Sequence, residues 1–430
     1  MPKKYEISTE AQVLLKLLRI ALGTEPMSAE GRRQDDSTPT AEDGKPAAVE
    51  AIPTQEGSIP VEPFPQAIDW REVIRLSYEQ KVSSLAVDGL KASGYDPLRT
   101  SVQTSSQQAN PYQPDPQQLA QAGKTPQQLE DLNAALNHWF EDVKNSEESY
   151  AYYLTVLSTI CQIFSANGLK PVILKGYGLS RNYPVPSHRG AGDIDIFVLD
   201  ENNKLATERA LDIIENQLKI QTKKVPHDYE FTFKGLEVEL HYDATNPYFG
   251  TKQERYITSR LTEMLPQGII PCPEIPGAYL PSADFNALYL IRHSFGHFYT
   301  ASGNLRQCVD WLTFLRAHSG EIDWHKLGTE LERSNMKPFF DGFNTMLGRW
   351  LGLETAICPI SAPDPRTEQF ILKDLHSPIN GGRHLHQRIR YYYGNRRKLK
   401  FITGKSWLHL LSGSIITSVK HLLNPGKPLY

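Results

Sequence analysis

Gly192-Asp193-Ile194-Asp195-Ile196-Phe197-Val198-Leu199 is the stretch that decides the fold. From Ile194 onward it is apolar, β-branched and short, the pattern of a core strand rather than a helix. Alternation along a strand places Asp193 and Asp195 on one face and turns Ile194 and Ile196 toward the other, into a core. Two carboxylates held this close repel each other unless a divalent cation lies between them. Mg²⁺ accepts such oxygen ligands and keeps positions open for further oxygens.

The flanking sequence completes an α/β unit. Upstream, Pro171-Val172-Ile173-Leu174 reads as a short apolar strand that ends in Lys175-Gly176-Tyr177-Gly178, a turn whose amides could cradle a phosphate. Lys175 adds a charge there, and Arg189, four residues before Asp193, is placed to reach phosphate oxygens. Downstream, residues 201–218 have helical spacing. Tyr229 to Phe233 and Leu236 to Tyr242 then read as a hairpin turning at Lys234-Gly235. In the second hairpin strand Leu236, Val238, Leu240 and Tyr242 fall on one face, and Glu237, Glu239, His241 and Asp243 on the other. A third acid on a strand next to Asp193 and Asp195 would complete a two-metal site. Glu239 is the best placed, with Glu237 the alternative.

Helical patterns surround this core. Residues 8–22 carry a Ser/Thr cap and a wide apolar face. A second helix begins at Asp69-Trp70 and runs toward Leu90, and a third covers 126–167. After Ser282 the chain is helical to Tyr299, from Asn304 to His318, and on to about Leu353. Two stretches rich in Pro, Gln, Ser, Thr and Gly interrupt the pattern and lack the apolar residues to offset their ordering entropy. The resulting division is an N-terminal helix (1–23), a mobile low-complexity loop (24–66) and a helical segment (67–100). A Pro/Gln-rich loop (101–126) and a second helical segment (127–168) follow. The α/β core (169–250), a helical domain (251–375) and a basic tail (376–430) complete the chain. The expected fold class is α+β, a small mixed sheet with flanking helices and helical segments at both ends.

The formal net charge of −3 over 430 residues points to no nucleic-acid or membrane partner, and no DNA contact is expected. The charge is unevenly spread. Residues 376–430 hold ten Lys and Arg and no Asp or Glu, which leaves 36 basic and 49 acidic side chains, a net of −13, on the rest. In the tail, Arg388, Arg390, Arg396, Arg397, Lys398 and Lys400 are interleaved with Tyr391, Tyr392 and Tyr393, a pattern that can grip RNA. The helical spacing of Trp407, Leu411, Ile415, Val419 and Leu422 would suit an anionic membrane surface or, equally, packing on the acidic body. The four cysteines show no paired spacing, and the N-terminal residues lack the apolar core of a signal peptide. With no run of 18 apolar residues, a cytoplasmic location is expected.

Two further features lie in the helical half. His293 and His297 are one turn apart, but no Glu follows His293, and aromatic neighbours favour packing or base contact over metal ligation. Arg306 and Asp310, spaced i, i+4, suit a pair along one helix.

Leu174-Lys175-Gly176, Tyr183-Pro184, Arg189-x-x-Gly192-Asp193-Ile194-Asp195-Ile196-Phe197-Val198 and Val238-Glu239-Leu240-His241 together resemble an uncharacterised bacterial nucleotidyltransferase family of the polymerase-β-like superfamily. The opening helices, and His293-x-x-x-His297 followed by Leu305-Arg306 and Asp310-Trp311, resemble its outer parts. The likeness covers roughly residues 8 to 320 without the two low-complexity stretches. It implies metal binding by Asp193 and Asp195, with Glu239 at the acidic position before His241. Lys175-Gly176 stands where the wider superfamily commonly has Gly-Ser.

These residues imply an enzyme that uses Mg²⁺ or Mn²⁺ to move NMP from an NTP, ATP among the candidates, to an acceptor, with release of pyrophosphate. Asp193, Asp195 and Glu239 would be the catalytic and metal-binding acids, and Lys175, Gly176, Arg189 and His241 the nucleotide-binding groups. One competing reading is a glycosyltransferase using Asp-x-Asp on a sugar nucleotide. There the motif usually follows a longer nucleotide-binding half than the twenty or so residues present here. A second is a silent nucleotide-binding scaffold. The sequence names neither the acceptor nor the NTP.

Overall fold

A computed structural model describes residues 5–24, 64–65, 67–98, 125–190, 192–245, 252–300 and 303–376, with scattered positions between 386 and 412. Nearly all of both low-complexity stretches and of the basic tail lies outside the described residues, and so do the readings of RNA or membrane contact attached to that tail.

The sheet is mixed and seven-stranded, in the order β3-β4-β5-β2-β1-β7-β6. Its centre consists of β1 (Lys170–Ile173), β2 (Ile194–Leu199), β4 (Asp228–Phe233) and β5 (Leu236–His241). Short strands β3 (Lys223–Lys224), β6 (Ile270–Pro271) and β7 (Tyr279–Leu280) extend the edges; they are too short to leave a periodic signal in the sequence. β1 and β2 are antiparallel, while β2 and β5 are parallel and pair Ile194 with Val238, Asp195 with Glu239 and Ile196 with Leu240. β4 and β5 form the expected hairpin, in which Lys234 and Gly235 both take positive φ, 47° and 78°. Two such residues in a two-residue loop match the right-handed twist of the strands they join.

Each face of the sheet has its own core. Ile173, Ile194, Ile196, Val198, Phe231, Phe233, Val238 and Leu240 pack on one side against the later turns of a long helix, where Tyr153, Leu157, Ile160 and Phe164 lie. Val172, Leu174, Phe197 and Leu199 belong to the larger core on the other side. That core gathers α1 (Thr9–Ala21), α2 (Trp70–Glu79), α3 (Ser83–Ser93) and the first half of the long helix α4 (Pro126–Ala166). It also takes in Leu179 of the short helix α5 (Tyr177–Ser180) and, past the short helix α6 (Thr207–Asp212) of the other core, α7 (Lys252–Met264), α8 (Ala283–Thr300), α9 (Leu305–His318) and α10 (Trp324–Arg333). Helices α11 (Lys337–Leu351) and α12 (Pro365–His376) complete it.

Helix α4 starts in a capping box. The Thr125 hydroxyl accepts from the Gln128 amide at 3.3 Å, the Gln128 side chain accepts from the Thr125 amide at 2.8 Å, and Pro126 fills the first turn. Its 41 residues span about 60 Å at 1.5 Å per residue, enough to serve both cores. α1 and α3 cross in van der Waals contact at Gly89, where a Cβ would meet the Leu17 carbonyl oxygen at 1.9 Å.

Two expected helices are reshaped by contacts that local spacing does not reveal. The single helix from Asp69 toward Leu90 is two, broken at Lys81, whose φ is 56°. The break lets Gln80 hold the start of α9. The Leu305 amide donates to the Gln80 side chain at 2.9 Å, and the Arg306 amide to the Gln80 carbonyl at 3.2 Å. The helix expected over 201–218 begins only at Thr207, because the Asp200 carboxylate accepts from the Asn202 and Lys204 amides and forms a turn first. The protein is thus α+β, as the sequence indicates.

Candidate active site

Asp195 lies at the centre of the sheet, 1% exposed. A carboxylate so buried is tolerated only with compensation. One oxygen, Oδ1, lies 3.0 Å from Lys175 Nζ and 3.0 Å from His241 Nε2. Burial alone would raise this carboxyl, but the Lys175 ammonium and His241 hold it well below the usual carboxylate range. Its other oxygen, Oδ2, is buried and has no hydrogen-bond partner.

Glu239, in register with Asp195 on the neighbouring parallel strand, places Oε2 3.4 Å from His241 Nε2. Burial pushes its carboxyl up to about 7, against the pull of His241. His241 itself is 1% exposed. Burial would lower its pKa, but hydrogen bonds with Asp195 and Glu239 push it up to about 9. Donor atoms of Asp195, Glu239 and His241 lie within 4.8 Å of one another, a spacing suited to one cation. Glu237 is exposed and outside the cluster. Asp193, partly exposed just before β2, is also outside that compact group.

The turn after β1 is set by Gly176. Its φ is 70°, and a Cβ there would meet the Tyr153 hydroxyl at 2.8 Å, so glycine is required on both counts. The helix that follows, α5, has four residues, too few to build a useful dipole. Lys175 turns back onto Asp195.

Arg189 is buried and donates through Nε at 2.7 Å and Nη2 at 3.0 Å to the two oxygens of Asp310, and Tyr183 donates to Asp310 at 2.7 Å. Two of the nitrogens expected to reach phosphate are thus spent on anchoring the segment that leads into Asp193. The same bidentate pair takes Asp310 away from Arg306, contrary to the expected pairing along the helix; a fork-shaped partner is the stronger one for a buried carboxylate. The preceding residue, His188, bridges Asp88 on α3 at 2.6 Å and Glu147 on α4 at 2.9 Å. Consecutive anchored residues fix the approach to β2.

Arg306 has no ion-pair partner among the described residues. Lys81 and Arg306 repel each other and both feel the charge of Asp193, so a cationic patch borders the exposed acid. Lys81 was not visible as a site residue because it belonged to an apparently continuous helix. His293 and His297 are edge to face at 4.6 Å and join neither cluster of potential ligands. Burial and Lys175 hold both imidazoles below their ordinary pKa.

The sequence reading also missed His227 and Asp228. Their donor atoms form a second close group with His241. The signal lay in the hairpin: a turn centred between 234 and 235 sets position 228 opposite 241, which is the observed register.

Among the described residues no helix is long and apolar enough to cross a membrane, and all four cysteines are buried and free. No curated protein and no solved structure matches the chain. A family model described as uncharacterised nucleotidyltransferase matches residues 66–352, which takes in the sheet, the acidic cluster and the helices α8, α9 and α11. With about two thirds of its length matched, the chain belongs to this family of uncharacterised nucleotidyltransferases.

Proposed function

We propose that the protein is a polymerase-β-like nucleotidyltransferase that moves NMP from an NTP to an acceptor and releases pyrophosphate, using Mg²⁺ or Mn²⁺. The observation that carries the reading is the pairing of Asp195 with Glu239 on adjacent parallel strands, with Asp195 Oδ2 buried and unpartnered. An unsatisfied carboxylate oxygen in a protein interior is unfavourable, and a cation is the natural partner for it. Asp195, Glu239 and, at the exposed edge, Asp193 would hold the ion. When bound, a divalent ion neutralises triphosphate charge and favours deprotonation of the attacking hydroxyl.

The chain's own groups have separable tasks. Lys175 and His241 occupy Asp195 Oδ1 and so fix the carboxylate's orientation. His241 is too buried to meet a nucleotide directly and positions the two acids instead. Gly176 lets the chain pass close to Tyr153 and keep Lys175 on Asp195. Arg306 and Lys81 supply positive charge beside Asp193 for phosphate oxygens. Membership of a nucleotidyltransferase family favours nucleotidyl over glycosyl transfer.

The test is transfer of label from each α-³²P-NTP to acceptors in a cell extract, with pyrophosphate measured in parallel. Label transfer that needs a divalent ion and disappears in Asp193→Asn and Asp195→Asn is the expected result. Failure of the wild-type protein to consume any NTP, while sugar nucleotides are consumed, would overturn the proposal.

A further inference from the structure

Four buried side-chain atoms without hydrogen-bond partners occur in adjoining residues: Asp195 Oδ2, His241 Nδ1, His227 Nδ1 and Asp228 Oδ1. The first belongs to the acidic cluster. The other three belong to a group whose donor atoms lie within 4.8 Å of one another. We infer that His227, Asp228 and His241 form a second metal site, selective for a transition-metal cation such as Zn²⁺ rather than Mg²⁺.

The backbone builds this group at the open end of the β4–β5 hairpin. Asp228 is directly opposite His241 in the antiparallel register, so both side chains leave the same face. The Tyr242 and Asp243 amides both donate to the His227 carbonyl, at 3.0 and 3.1 Å, which fixes the chain just before Asp228. His227 Nε2 lies 3.2 Å from Asp228 Oδ2, and the His227 and His241 ring centroids are 5.5 Å apart. Asp228 and His241 are each 1% exposed, while the His227 side chain is 26% exposed and gives the group its opening to solvent.

The chemistry of the donors decides the ion. Two imidazoles and one carboxylate suit Zn²⁺ and its neighbours, with a fourth position left for water, whereas Mg²⁺ prefers an all-oxygen shell. His241 is already oriented for this role. Its Nε2 lies 3.0 Å from the Asp195 carboxylate, while its buried Nδ1 has no hydrogen-bond partner, so a cation bound there would displace the Nδ1 proton. A carboxylate behind a ligating imidazole is the usual outer support of a histidine–metal bond. His241 would thereby link the two sites, one ion on its Nδ1 side and the acidic cluster on its Nε2 side.

The experiment titrates Co²⁺ alone, then Zn²⁺ as competitor, into the metal-free full chain and follows the visible d–d bands of cobalt. The wild type is expected to bind one Co²⁺ that Zn²⁺ displaces and excess Mg²⁺ does not. His227→Gln and Asp228→Asn should lose this ion, Asp193→Asn should keep it, and Asp195→Asn should weaken it by about 10- to 100-fold as an outer-support change. X-ray absorption of the Zn²⁺-loaded wild type should count two imidazoles, a readout that survives if a variant fails to fold. One imidazole only would put the ion in the Asp195–Glu239–His241 cluster and overturn the inference, as would binding unaffected by His227→Gln or no Co²⁺ binding at all. Co²⁺ binding at this group without nucleotidyl transfer, or transfer without Co²⁺ binding, separates this inference from the proposed activity.

Discussion

Along β2, neighbouring residues meet opposite surroundings. Ile194, Ile196 and Val198 sink into an apolar core against α4, while one residue away Asp195 is just as buried but surrounded by Lys175, His241 and Glu239. The first face is mainly apolar, although the Tyr153 hydroxyl there is also buried without a hydrogen-bond partner. The second keeps buried polar atoms without partners on Asp195, His227, Asp228 and His241. A ligand is one way to complete such atoms, and the function proposed above assigns that role to the polar face of the sheet.

The largest effect should come from exchanging the faces. Ile196→Asp buries an unpaired carboxylate in the apolar core and is expected to unfold the protein or destabilise it by at least about 4 kcal/mol in urea titration. Asp195→Ala strips a partner from partly exposed Lys175 and buried His241 and should cost about 3 kcal/mol, because the surviving charges are left less compensated. If Asp195→Ala were as stable as wild type, the polar face would not depend on its own charge pairing.

A smaller change tests the anchor of the segment before β2. Asp310→Ala leaves Arg189 buried and unpaired and should lose about 3 kcal/mol, while the double replacement Asp310→Leu with Arg189→Met should recover much of that loss. Gly176→Ala combines a positive φ with a contact against the Tyr153 hydroxyl and should cost about 1–3 kcal/mol, part of it restored by adding Tyr153→Phe.

The smallest effect concerns pH. Hydrogen bonds donated to the Asp88 and Glu147 carboxylates raise the pKa of His188 above its ordinary value, in spite of its burial. The stabilisation is therefore fully present below the ordinary histidine pKa and lost as pH rises through the raised one. A His188→Gln variant should fall behind wild type in unfolding free energy most at the acid end of that window, by about 1 kcal/mol or less given the exposure of Glu147, and should converge with it above.

β1 and β2 were legible as short apolar runs, and the hairpin as two further short strands around Lys234-Gly235, with clean alternation in the second. Alternation put Glu237 and Glu239 on one face as alternatives, and the register of β2 against β5 pairs Glu239 with Asp195. Three features were missed, two of them because a distant partner decides them. The kink at Lys81 exists because Gln80 receives α9, which starts 225 residues later. Arg189 is tied to Asp310, 121 residues away, and this changes its role from phosphate contact to anchor. His227 and Asp228 looked like loop residues ahead of a strand, and only the hairpin register sets them beside His241.

The central claim is that the polar face of β2 and β5 holds a divalent ion for an NTP. Electron paramagnetic resonance of Mn²⁺, titrated with a non-hydrolysable NTP analogue into wild type, Asp195→Asn and Glu239→Gln, tests it most directly. The account predicts a protein-bound Mn²⁺–nucleotide signal in wild type that both variants lose while remaining folded. Equal Mn²⁺ binding in all three proteins would contradict it.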